Sequence, residues 1–150
     1  MWDIPTWGNY IGHLSGFIAL LLSLYNWKKS LVKIRVEIEL LPLNHGCWSI
    51  NALVVNDSSR SVSVLKTHVQ SGNRILNAIK PTLSKGMYLY MHNGINVAHS
   101  RELILLPTTF QAYEAKQLEL VIYEDPTTNK SHFVIVANGK KYKTKMPPPI

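Results

Sequence analysis

At 150 residues the chain suits one domain of ordinary size, or a smaller domain with an appendage. Apolar residues make up 46% and charged residues only 17%, a balance that excludes collagen-like, coiled-coil and wholly disordered chains. Sixteen Lys and Arg against nine Asp and Glu leave +7, which favours anionic partners: lipid headgroups, nucleic acid or acidic proteins. A single cysteine, Cys47, rules out an intrachain disulfide framework and fits a reducing compartment.

The chain opens on 24 residues, Ile4 to Trp27, without Asp, Glu, Lys or Arg. Its centre, Ile11 to Leu24, holds eight large apolar residues, worth about −2 to −5 kcal/mol on insertion into a bilayer. His13, Ser15, Ser23, Gly12 and Gly16 erode that figure. A helix from Trp7 to Trp27 would rise about 30 Å, the thickness of the hydrocarbon layer. Aromatics stand at both ends, Trp2, Trp7 and Tyr10 before the apolar run and Tyr25 and Trp27 after it, as in interfacial belts. The apolar residues lie all round the helix, which argues against an amphipathic core helix. A cleaved signal peptide would want a basic start and a small-x-small site, whereas Asn-Trp-Lys-Lys follows the run. The expectation is a retained transmembrane anchor over residues 1–30.

The flanks give an orientation. Asp3 lies on one side, whereas Lys28, Lys29, Lys33 and Arg35 lie on the other. Basic residues stay cytoplasmic, so the N-terminus is expected outside and the remainder inside the cell. The basic flank would also meet anionic headgroups. Gly8, Gly12 and Gly16 recur every fourth residue, and Ala19 and Ser23 continue that stripe. Small residues on one face let helices approach closely in lipid, through self-association or with a partner helix.

From Val32 the period changes to two: Val-Lys-Ile-Arg-Val-Glu-Ile-Glu-Leu alternates aliphatic and charged residues, the mark of a half-buried antiparallel strand. Trp48 to Val55 gives a second strand, ended by the Asn56-Asp57-Ser58-Ser59 turn, and Val62 to Gln70 a third. Ser71 to Lys80 suits either a short helix or a loop. Met87 to Met91, Leu103 to Leu106 and Gln117 to Glu124 are strand-like, with turns at His92-Asn93-Gly94 and Asp125 to Asn129. His132 to Ala137 and Lys141 to Lys145 flank Asn138-Gly139, a strong hairpin signal. Met146 and the prolines after it suggest a loose tail, with the tail proper at 147–150. About seven short strands over residues 31–146 predict a mainly β domain, an immunoglobulin-like antiparallel β-sandwich with a small barrel as the alternative.

The weakly apolar opening that ends in Tyr-Asn-Trp-Lys-Lys runs straight into Val-Lys-Ile-Arg-Val-Glu-Ile. Val55 to Val62, Leu106-Pro107 before Phe110 to Ala115, and the closing Asn-Gly-Lys-Lys hairpin follow. This pattern resembles the small membrane-anchored immunoglobulin-like proteins of Gram-positive bacteria and their prophages. The resemblance implies architecture and brings no catalytic signature. In a prophage setting it implies action on the host envelope or on DNA entry.

No constellation declares a chemistry. His13, His45, His68, His92, His99 and His132 form no ligand-spaced pair, although His92 and His99 flank a turn and would meet across it. Cys47 beside Trp48 at a strand start suits a small buried thiol. No nucleophile elbow, phosphate loop or dinucleotide fingerprint occurs. No catalytic residue, metal or cofactor is expected. Lys140, Lys141, Lys143 and Lys145 around Tyr142 suit a lysine-decorated edge strand, since nucleic-acid binding would want more interleaved aromatics. The expected function is a non-enzymatic membrane-anchored interaction module with an unknown protein partner. The alternatives are a membrane-tethered nucleic-acid-binding protein and a hydrolase whose site carries no recognisable motif.

Overall fold

The computed structural model describes residues 4–29, 31–128 and 130–148. The charge-free opening is one helix, α1 (Ile4–Lys29). Pro5 falls in its first turn, where a missing N–H costs nothing. Described side chains from Trp7 to Lys28 are exposed on every side. Among the described residues no helix is long and apolar enough to cross a membrane. That corrects the expected transmembrane span. The aliphatic centre, Ile11 to Leu24, rises only about 21 Å, and the turns that extend it carry Asn9, Tyr10, Tyr25 and Asn26.

The remaining chain is mainly β. Its strands are β1 (Ile34–Pro42), β2 (Trp48–Asn56), β3 (Val62–Ser71), β4 (Arg74–Ile75), β5 (Thr82–Ser84), β6 (Met87–His92), β7 (Ile95–Ser100), β8 (Thr108–Phe110), β9 (Ala115–Ile122), β10 (Ser131–Ala137) and β11 (Lys140–Lys145). All described pairings are antiparallel. One sheet runs β1-β2-β9; a second runs β11-β10-β3-β4, with β8 also on β3; a third is β5-β6-β7.

The first two sheets share one core in the two-layer manner of a β-sandwich. Leu40, Ile50, Val54, Leu118 and Ile122 of one meet Val62, Val64, Val69, Phe133 and Ile135 of the other. The period of two explains the split in β1. Ile34, Val36 and Ile38 pack on this core, whereas Arg35, Glu37 and Glu39 point to solvent. A second, smaller core lies on the outer side of the first sheet, where Tyr90 of β6 and Val97 and Ala98 of β7 meet Val121, Ile79 and Cys47. Cys47 and Trp48 therefore serve different cores, Trp48 packing on the main one.

Several details depart from sequence expectation. Ser71 to Lys80 holds no helix: it closes β3, turns into the two residues of β4 and bridges Ala78 to Ile122. Leu103 to Leu106 is not a strand: Ile104 and Leu106 pack on the main core, and the ladder begins beyond the cis Leu106–Pro107 bond at Thr108. Met146 is no loose tail residue. Its side chain is buried in the main core and its N–H donates to the Ser131 carbonyl. The Asn138-Gly139 hairpin turn has both residues at positive φ, 46° and 74°, the backbone that favours these two residue types.

Candidate functional site

The helix presents large apolar side chains to its surroundings. Trp7, Tyr10, Leu14, Phe17, Leu21 and Trp27 are each about half exposed or more, and no described helix side chain belongs to either core. Gly8, Gly12, Gly16, Ala19 and Ser23 fall within an arc of about 80°. A Cβ placed on any of the three glycines meets nothing within 4 Å, so that face is open. Ser15 Oγ donates to the Gly12 carbonyl at 2.9 Å, which satisfies that hydroxyl within the helix itself. Of the expected aromatic belts, Trp7, Tyr10, Tyr25 and Trp27 are exposed at the two ends, whereas Trp2 lies outside the described residues.

The basic flank is only partly available for a charged surface. Lys28 and Lys33 are exposed, and the Lys29 side chain lies outside the description. Arg35, expected to join them, is instead occupied by carboxylates: its Nε donates to Asp57 at 3.1 Å and its Nη1 to Glu37 at 3.0 Å. The partner in the β2–β3 turn, 22 residues away, carries no signal in the local sequence.

The two outer sheet faces differ in charge. On the first sheet, Glu39 and Glu119 stand on either side of Asn51 in register, with Glu37 one row along. On the second, β3, β10 and β11 contain no Asp or Glu. Lys143 and His68 flank Val134, and Lys141 and Lys66 flank Val136, while Tyr142 turns inward onto the core. None of these lysines lies in an ion pair among the described residues. Burial, then Lys66, Lys141 and Lys143, hold the His68 imidazole below its usual range. Alternation in Lys-Lys-Tyr-Lys-Thr-Lys signals one cationic side of β11, but Lys66 and His68 join it only through the fold.

Cys47 and the described histidines form no nucleophilic pair. Cys47 is buried and its thiol is pushed up by that burial. Its sulfur approaches the backbone carbonyl of His45 at 3.8 Å, not the imidazole. His92 and His99 do not meet: the register sets His99 opposite Leu89, and His92 stacks on Tyr123 with ring centres 4.7 Å apart. Among the described residues no three His, Cys, Asp or Glu side chains are grouped to hold a metal ion. A cleft of about 430 Å³ lies where residues 100–104 pass the first sheet, lined by Asn51, Arg101, Glu102, Gln117 and Glu119. The Tyr90 hydroxyl, buried near Glu119, has no hydrogen-bond partner among the described residues, and burial holds its pKa well above the usual phenol range. Comparison of the chain with protein-family models, with curated proteins and with solved structures finds no match.

Proposed function

We propose that this protein is a non-enzymatic interaction module held at the cytoplasmic face of the cell membrane by its N-terminal helix. One observation carries the reading: a 26-residue helix exposes large apolar side chains on every side, and its described side chains join neither core. In water such a surface is a strong drive to association. An interfacial position suits it poorly, because that needs one polar and one apolar face. Its aliphatic centre falls short of a free-standing span, so the helix enters lipid in company with other helices. The stripe Gly8, Gly12, Gly16, Ala19 and Ser23 is the packing face, where close backbone contact replaces the missing hydrophobic drive. Lys28, Lys29 and Lys33 keep the β domain on the cytoplasmic side.

The β domain is the displayed part, and we read it as immunoglobulin-like. The orders β1-β2-β9 and β11-β10-β3 correspond to the A-B-E and G-F-C pairings of that topology, with residues 72–107 as an insertion after the third strand. The resemblance to prophage membrane proteins supplies a setting, action on the host envelope or on DNA entry.

Alkaline carbonate extraction of cells producing the full chain tests the reading. Retention in the membrane pellet is expected, and release into the supernatant overturns it. Gly12→Ile/Gly16→Ile should lose its assembly on crosslinking. Unchanged crosslinked species would discard the glycine face as the interface.

A further inference from the structure

We infer that the outer face of the β3-β10-β11 sheet docks flat onto the anionic headgroups of the bilayer that holds the helix, so the domain lies down on the membrane. This deepens the proposed function and rests on its lipid-embedded helix. Three observations meet here. First, the face is cationic without relief: Lys66, Lys141, Lys143 and Lys145 are exposed, and none of its three strands carries a carboxylate. Second, it begins at the tethered end of the domain. The Lys33 carbonyl accepts from Asp57 in the β2–β3 turn, and Ser63, just past that turn, exchanges hydrogen bonds with Asn138 of the β10–β11 turn. The four residues 30–33 reach at most about 14 Å from the helix, so these turns cannot leave the membrane surface. Tethering raises the effective concentration of headgroups at the face.

Third, among the described residues the outer face carries no Phe, Tyr or Trp ring, and its rings are the half-buried imidazoles of His68 and His132. Tyr142, the only aromatic of β11, faces the core. Stacking on single-stranded nucleic acid needs exposed rings, and duplex readout needs an element that enters a groove. Headgroups need neither. The lysine stems can lie over Val134 and Val136 while their ammonium groups reach outward. The acidic row of Glu37, Glu39 and Glu119 on the opposite sheet then faces away from the anionic surface.

The test uses the full chain with one added cysteine, Gln70→Cys, dye-labelled; Cys47 is buried and does not compete. Gln70 lies in the row of Lys145 and His132, at the end remote from the tether, so it nears lipid only if the face lies down. Vesicles are phosphatidylcholine alone or with added phosphatidylglycerol, and both carry a headgroup energy-transfer acceptor. Flotation with neutral vesicles reports the helix; transfer reports the face. Transfer should rise in anionic vesicles and fall as salt shortens the screening length. Lys66→Gln/Lys141→Gln/Lys143→Gln should cut the docked-to-free ratio about a hundredfold, roughly fivefold per lysine. Lys80→Gln/Lys85→Gln should leave it unchanged. Equal transfer in both vesicle types, or an inert triple variant with unchanged circular dichroism, overturns the inference. A stronger salt-sensitive response to duplex DNA added to neutral vesicles also overturns it. Failure to float with neutral vesicles overturns the helix reading alone. Anionic, lysine-dependent flotation would then still support the face, and its loss would sink both.

Discussion

His68 sits among three lysines on a sheet face without carboxylates, and this sets the sign of its contribution to stability. Burial first, and then Lys66, Lys141 and Lys143, lower its pKa from 6.5 in the folded state. The unfolded chain therefore takes up a proton near pH 6.5 while the folded chain resists it. Between those two pKa values the unfolded state binds more protons, so stability falls as pH falls through this window and levels off below the folded pKa. Thermal melts of the wild type and His68→Gln from pH 7.5 to pH 5 should show the wild type losing ground below about pH 6.5. Added salt should reduce the lysine share of that loss and leave the burial share. A pH-independent difference between the two proteins would mean that His68 feels neither.

Among the elements, the β2–β3 turn depends on one buried side chain. Asn56 is 1% exposed and uses both ends of its amide. Its Nδ2 donates to the carbonyls of Arg60 at 2.7 Å and Gln111 at 2.8 Å. Its Oδ1 accepts from the Ser58 N–H at 3.1 Å and from the Ser58 hydroxyl. The clip ties the turn to the loop after β8. Asn56→Ala leaves the Ser58 N–H without its acceptor, while the Arg60 and Gln111 carbonyls keep the Ser58 hydroxyl and the Glu114 N–H, and should cost about 1–3 kcal/mol in urea denaturation. Asn56-Asp57-Ser58-Ser59 announces a self-bonded turn in the sequence, but the bond to Gln111 spans 55 residues and has no local signature. The strands follow the same rule. The alternation of β1 and the Asn138-Gly139 turn are legible because side-chain period and positive φ are local properties. Leu103 to Leu106 misleads because its apolar residues plug a core without entering a ladder. Arg35 misleads because its neutralising partner, Asp57, comes from another turn. The cationic sheet face is half legible, with β11 declaring its lysines and β3 joining only by register.

At the scale of the whole molecule, the described helix residues take no part in either core of the β domain. The main core draws from β1, β2, β3, β8, β9 and β10 with Leu76 and Met146, the smaller one from β6, β7 and β9 with Cys47 and Ile79, and among the described residues neither includes one before Val32. Apolar burial supplies most of the stability of a domain, so the helix contributes little to the folding of the sheets. A chain that begins at Leu31 should therefore unfold cooperatively in calorimetry, within about 2 °C of the full chain in neutral detergent. It should also stay monomeric without detergent, where the full chain aggregates or forms micelles through its exposed helix. A fall of many degrees on truncation would place the helix against the sheets and remove the basis for assigning it to lipid. An unchanged midpoint leaves 26 residues of ordered, apolar helix with no structural task inside the domain, and a task outside it is then required.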